Sequence, residues 1–209
     1  MVDTNIQSRK QKLLSSRTPV QQRSRQKREE ILLATGALLE RVGFDELTTI
    51  LITRELKISV GSLYHYFPNK QAILYAMAEH WLAEYSLALD DIASANLESF
   101  DVPAFSELSL KRLLQVYREQ QGMLPLVQAM CAVPELYELD EAHDEMVITR
   151  MAEMFGRVGL SQGKSELQRR GRLWLEMSHA LLLSILEQPA ARAKRSFADM
   201  VSLSNTLLS

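Results

Sequence analysis

The chain has 209 residues, 24 Lys+Arg against 26 Asp+Glu, and 46% apolar side chains, a balance that supports one large core or two small ones and excludes wholesale disorder. A single cysteine, Cys131, excludes an intrachain disulfide and any cysteine-based zinc or iron–sulfur centre. The apolar runs, such as 72–78 and 180–183, fall far short of a membrane span. The first residues hold no apolar signal-peptide core, so the expectation is a soluble, cytoplasmic protein. Only eight glycines and six prolines are present, against about 25 at average usage, which predicts long helices.

The charge is unevenly spread. Residues 1–75 carry 12 basic and 7 acidic side chains, and residues 76–209 carry 12 and 19, so a basic front precedes an acidic rear. That asymmetry points to an anionic partner at one end. Between Thr4 and Arg28 stand eight basic residues (Arg9, Lys10, Lys12, Arg17, Arg23, Arg25, Lys27 and Arg28) and no acid. Residues 1–24 are too polar to fold alone and are read as a basic disordered arm.

Helical spacing starts at about Lys27. Ile31, Ala34, Leu38 and Val42 share a face, and Gly43 marks the stop. A short helix from about Thr48 to Leu56 is capped by Thr48 and buries Ile52. Another runs from Val60 to Phe67 behind the cap candidate Ser59 and must end before Pro68. A fourth starts near Asn69 and passes Trp81 to about Leu89. Residues 90–105 are expected to form a loop around Pro103. Further helices are marked by Leu110 to Tyr117, Leu124 to Met130, Leu139 to Val158, Leu167 to Ile185 and Phe197 to Leu208. No strand pattern and no internal repeat emerges.

Two short helices joined by Lys57-Ile58-Ser59 form the layout of a helix-turn-helix over about 48–67, whose second helix enters the DNA major groove. Leu63 and Phe67, at i and i+4, face the core. Val60, Gly61, Ser62, Tyr64 and His65 are then left near the outer face. Gly61 permits close backbone approach, Ser59 and Ser62 offer hydroxyls, and Val60 suits a thymine methyl. Tyr64 and Tyr66 suit phosphates, as does Lys70 in the first turn of the next helix.

The stretch SVGSLYHYFPNKQAILYAM closely resembles the TetR (tetracycline-repressor-like) family of transcriptional regulators. The preceding helix, Gly43-Phe44, Leu47-Thr48-Thr49 and Ile52 fit the same pattern. The family usually has Ala where Thr53 stands, a small residue in place of Leu56 and Gly in place of Lys57; Ile50 and Leu51 are more apolar than usual. The resemblance implies an all-α fold with an N-terminal three-helix DNA-binding head, residues 25–85, and a C-terminal helical effector-binding and dimerisation domain, residues 86–209. By the family pattern, Thr48, Thr49, Ser59, Val60, Gly61, Ser62, Tyr64, His65, Tyr66 and Lys70 lie at or near DNA, with the arm along the backbone or in the minor groove.

The function expected is a DNA-binding transcriptional regulator, a ligand-responsive repressor that binds a palindromic operator as a homodimer. Its partners would be double-stranded DNA and a small apolar effector, with no membrane and no cofactor. The alternatives are an architectural or other non-transcriptional DNA-binding protein, or a helical enzyme. The enzyme reading lacks a nucleophile–base pair, a phosphate loop and a metal-ligand set. Six of nine methionines fall between 123 and 177 and suit either core filling or an adaptable pocket. With the resemblance, some of Tyr117, Met130, Cys131, Met151, Phe155, Trp174, Met177 and His179 are expected to line a cavity. Asp140, His143 and Asp144 share a helix face, read as a solvated acidic surface and not as a metal site. Arg169, Arg170 and Arg172 form a second basic cluster, read either as solvated surface charge or as pairing with the excess acid of the rear domain. The segment 173–186, apolar on nearly every face, is expected to be covered on one side by a second subunit.

Overall fold

The computed structural model describes the backbone of residues 3–209 and the side chains from residue 21 onward. Nine α-helices and one 3-10 turn make up the described residues: α1 (Asp3–Glu46), α2 (Thr49–Leu56), α3 (Val60–Tyr66), α4 (Lys70–Ser94), the turn Leu97–Ser99, α5 (Val102–Glu119), α6 (Met123–Ala132), α7 (Pro134–Arg157), α8 (Lys164–Leu186) and α9 (Ala190–Leu208). No described helix is long and apolar enough to cross a membrane. Two expectations change. The backbone of α1 is helical from Asp3, where a disordered arm was expected; this stretch is rich in Gln, Lys, Arg and Leu, which favour helix. Residues 1–2 and the side chains of 1–20 lie outside the described residues. The loop expected over 90–105 shrinks, because α4 runs on to Ser94 and Pro103 opens α5 behind the N-cap Asp101, whose carboxylate accepts from Ala104 N–H at 2.8 Å.

The head is built on Ile31, Leu38, Leu39, Leu47, Ile52, Leu63, Phe67 and Ile73, all buried. Regular helix breaks at Gly43, where φ is +77°, a value that favours glycine. In the body, α7 and α8 pack together, α9 lies against α5 and α8, and α4 runs between head and body. Phe105, Phe155 and Trp174 stack edge to face at the body's centre. There Trp174 Nε1 donates to Ser204 Oγ at 3.0 Å, and Ser204 shares a 2.9 Å hydrogen bond with Ser106, so these three buried side chains are partnered. Arg157 of α7 donates to the carbonyls of Ala93 and Ala95 and pairs with Glu98, closing the end of α4 with a cation.

Head and body also meet at a backbone-to-backbone approach. Gly122, with φ +71°, lies against Gly36 of α1, and its N–H donates to Glu40 Oε1 at 2.9 Å. A side chain at Gly122 would collide with the Gly36 carbonyl. The basic cluster near the start of α8 is absorbed locally: Arg169 and Arg170 pair with Glu166, Arg172 pairs with Glu145, and Arg170 also donates to the carbonyls of Leu207 and Ser209 at the end of α9.

Candidate nucleic-acid interface and ligand cavity

Both short helices of the head start on side-chain caps. Thr48 Oγ1 accepts from Leu51 N–H at 3.2 Å, and Ser59 Oγ accepts from Ser62 N–H at 3.1 Å. Between them Lys57 adopts the left-handed conformation, φ 53° and ψ 42°, and the Lys57 and Ile58 N–H groups close back on Arg54 and Thr53 carbonyls. Leu63 and Phe67 are buried and fix α3 on its support. That leaves one outward row: Val60 is 43% exposed, Tyr64 is 46% exposed, and Gly61 and His65 are also open to solvent. A Cβ at Gly61 would meet nothing within 4 Å, so the space in front of it is open. Ser62 and Tyr66 are half buried, and the Tyr66 ring stands edge-on to His65 at 5.0 Å. The hydroxyls of Tyr64 and Thr49 lie 3.5 Å apart, which joins the start of α2 to the middle of α3.

Two basic residues are held differently from the sequence reading. Arg28, grouped with the basic stretch, donates to the Tyr66 carbonyl at 3.2 Å and lies 4.2 Å over the Phe67 ring, so it closes the end of α3. Lys70 is half buried; its ammonium donates to the Phe44 carbonyl at 3.3 Å and sits 4.6 Å over the Phe44 ring. It ties the corner after α1 to the start of α4, and its remaining donors are those free for a phosphate. The cap of α4 is Asn69, whose Oδ1 accepts from Ala72 N–H at 2.8 Å.

The body holds a cavity of about 200 Å³ between α4, α5, α6, α7 and α8. Trp81 and Tyr85 come from α4, Tyr117 from α5, and Val127 and Cys131 from α6. Asp140, His143 and Asp144 come from α7, and Leu175, Glu176 and His179 from α8. It is more enclosed than the wider groove of about 720 Å³ that Tyr117 also borders. The aromatic rings meet edge to face: Trp81 and Tyr117 at 5.7 Å, Tyr85 and Tyr117 at 6.3 Å, Tyr85 and His143 at 5.3 Å. Tyr117 Oη and His179 Nδ1 share a 2.6 Å hydrogen bond. Trp81 Nε1 and His143 Nε2 are buried without a hydrogen-bond partner. Burial pushes the Asp144 carboxyl up to about 7, with Asp140 and Glu176 adding to the rise and Arg172 opposing it. Asp140 rises for the same reasons, burial first and Glu176 next. Burial lowers His143 to about 4 and also lowers His179.

Of the residues expected to line a cavity, Tyr117, Cys131 and His179 border this one. Met130, Met151, Phe155 and Trp174 are instead fully buried core, and Met177 packs half buried against that core. The face of Asp140, His143 and Asp144, read as solvated, turns partly inward and forms one wall. Trp81, Tyr85, Val127, Leu175 and Glu176 also border it and were not in the expected set. The available signal was that the polar face of α7 is broken by His143, an unusual partner for two carboxylates on a purely solvated stripe.

The family described as "Bacterial regulatory proteins, tetR family" matches residues 31–77, and "Tetracyclin repressor-like, C-terminal domain" matches residues 101–208, over half the chain. The chain belongs to the TetR family. Among relatives of this TetR-family protein is the HTH-type transcriptional regulator BetI of Proteus mirabilis (strain HI4320), 24% identical over 184 residues, covering 80% of this chain and 85% of the relative. A TetR-family regulator from Marinobacter aquaeolei VT8 superposes with a TM-score of 0.68 at 16% identity, covering 87% of this chain and 91% of that one. PfmR from Thermus thermophilus does so with 0.64 at 17% identity, over 85% and 96%. At these identities the likeness to the two structures is one of fold. The TetR-family chain is thus a DNA-binding transcriptional regulator with an all-α fold, an N-terminal helix-turn-helix and a C-terminal helical domain.

Proposed function

We propose that this regulator is a ligand-responsive repressor that grips a palindromic operator as a homodimer and lets go when an effector enters the body. The observation that carries the reading is the construction of α4. Its first residue, Lys70, holds the Phe44 corner of the head, and Trp81 and Tyr85, three to four turns on, wall the cavity. One helix therefore touches both sites, and a shift of α4 changes the spacing of two heads. The coupling is reciprocal: DNA weakens effector binding by the factor by which effector weakens DNA binding, about 5–150-fold for a coupling of about 1–3 kcal/mol.

On DNA, Val60, Gly61, Ser62 and His65 face base edges in the major groove. Thr48, Thr49, Ser59, Tyr64, Tyr66 and the free donors of Lys70 hold phosphates. Dimerisation is supported by apolar side chains left uncovered on the last two helices: Leu173 is 43% and Leu203 51% exposed, and Phe197 and Val201 are only half buried. Trp174, Leu175, Leu182 and Ile185 of the same α8 are buried within the protomer, so only one side of it awaits a partner. Selection of binding sites from a random duplex pool, with light scattering of the free protein, tests the reading. The expected result is a palindromic consensus bound by a dimer, and a monomer at micromolar concentration or a site without symmetry overturns it.

A further inference from the structure

The charge of the cavity is one-sided. Asp140 and Asp144 stand one turn apart on α7 and Glu176 faces them from α8. No salt bridge involves any of the three among the described residues; the nearby Arg172 pairs with Glu145 and Arg150 with Asp90. No Lys or Arg lines the cavity, and burial favours neutral His143 and His179. Burial first, and then repulsion from the neighbouring carboxylates, raises the affinity of Asp140 and Asp144 for protons. The same cavity is lined by the rings of Trp81, Tyr85 and Tyr117, and electron-rich aromatic faces attract cations. Trp81, 3% exposed, keeps its Nε1–H unpartnered at this wall.

We propose that this cavity takes a compact organic cation, a quaternary or protonated amine on an apolar body. The inference rests on the reading that the cavity is the effector's, and replaces the purely apolar ligand expected from the sequence. An anion would meet three carboxylates and no cation. A neutral hydrocarbon would bury those carboxylates further and relieve none of their repulsion, at a cost in desolvation. The volume, about 200 Å³, is below the about 300–1,000 Å³ of drug-sized sites, so the cation is small.

The test uses the full-length protein and an isosteric pair, phenyltrimethylammonium and tert-butylbenzene, which differ in one atom and one charge. Isothermal titration above pH 7.5 is expected to show the cation bound at least about tenfold more tightly. The double variant Asp144→Asn, Glu176→Gln should lose about tenfold for the cation and leave tert-butylbenzene unchanged; Glu176→Gln alone serves if the double variant does not fold. Equal or tighter binding of the hydrocarbon overturns the proposal, as does a variant that keeps full affinity for the cation. Failure of phenyltrimethylammonium, tetramethylammonium and benzylamine alike to bind at millimolar concentration also overturns it. Titration with a selected operator duplex separates the two readings. Cation binding that leaves DNA affinity unaltered upholds the charge of the site and removes the effector role. Release of DNA by the hydrocarbon alone keeps the effector role and overturns the cation.

Discussion

Gly122→Ala probes the junction through which the head rests on the body. The new Cβ would stand 2.8 Å from the Gly36 carbonyl oxygen and 2.9 Å from Leu39 Cβ, at a backbone φ of +71°. Left-handed backbone costs a residue with a Cβ about 1–2 kcal/mol, and forcing atoms into a filled contact costs about 1–3 kcal/mol, so the expected loss is about 2–5 kcal/mol. The neighbouring Gly36→Ala is the control. Its Cβ would lie 3.2 Å from the Gln121 carbonyl oxygen inside regular helix, where alanine gains about 1 kcal/mol over glycine, so the two terms nearly cancel. Urea unfolding followed by helical circular dichroism, at one fixed protomer concentration because dimers gain stability with concentration, reads both. A Gly122→Ala midpoint equal to the parent's, or a loss no larger than that of Gly36→Ala, would refute the close approach of α1 and the α5–α6 turn.

Lys57→Gly should raise stability by about 0.5–1 kcal/mol in the same urea assay, since release from the left-handed penalty exceeds the added freedom of the unfolded chain. Asp144 binds its proton up to about pH 7 in the folded protein and only up to about pH 3.9 unfolded. The folded state therefore holds the extra proton between these values, and stability falls as pH rises through that window. Asp144→Asn should raise the melting temperature at pH 8 and leave it nearly unchanged at pH 4, and equal gains at both pH values contradict the assignment. Tyr64→Phe should weaken binding to every duplex by roughly tenfold, the worth of a hydrogen bond to a charged group, while Ser62→Ala or Val60→Ala should reorder the preferred bases, measured by binding to a panel of single-base operator variants. Removal of residues 1–24, with five basic side chains, should flatten the slope of log K against log salt by up to about 4.5; an unchanged slope means the segment touches no phosphate.

The head was legible because its signals are local. Thr48 and Ser59 announce caps, Leu63 and Phe67 announce a buried face four residues apart, and Pro68 ends α3, all within a short stretch of chain. The turn between the helices was legible in outline, yet Lys57 gave no hint that it accepts a left-handed backbone that glycine would adopt more easily. Lys70 shows the opposite limit. Its position at a helix start suggests a phosphate ligand, but Phe44, 26 residues earlier, supplies both a carbonyl and a ring. Contacts made across that distance in sequence leave no periodicity to read. The loop expected over 90–105 failed for a related reason: Arg157, some 60 residues downstream, supplies the end of α4 with donors that the local sequence lacks.

The cavity was harder to see, because polar residues on a helix face are read as turned to water. On α7 that rule sends Asp140, His143 and Asp144 outward. It fails because α4 brings Trp81 and Tyr85, and α8 brings Glu176 and His179, to the same place from well upstream and well downstream in the chain. The rule rests on the high energy of burying charge without a partner, so its violation is informative. A chain optimised for packing alone would place leucines here, as it places apolar side chains at Leu136, Val147 and Ile148 on the same helix. The carboxylates raise the energy of the empty protein, and an arriving positive charge lowers it by removing their repulsion as well as by its own contacts. That difference between filled and empty states is available to do work elsewhere. Trp81 lies eleven residues beyond Lys70 on one unbroken helix, about 16 Å along its axis, so in the proposed mechanism relief of strain at the cavity wall is delivered where Lys70 holds the head.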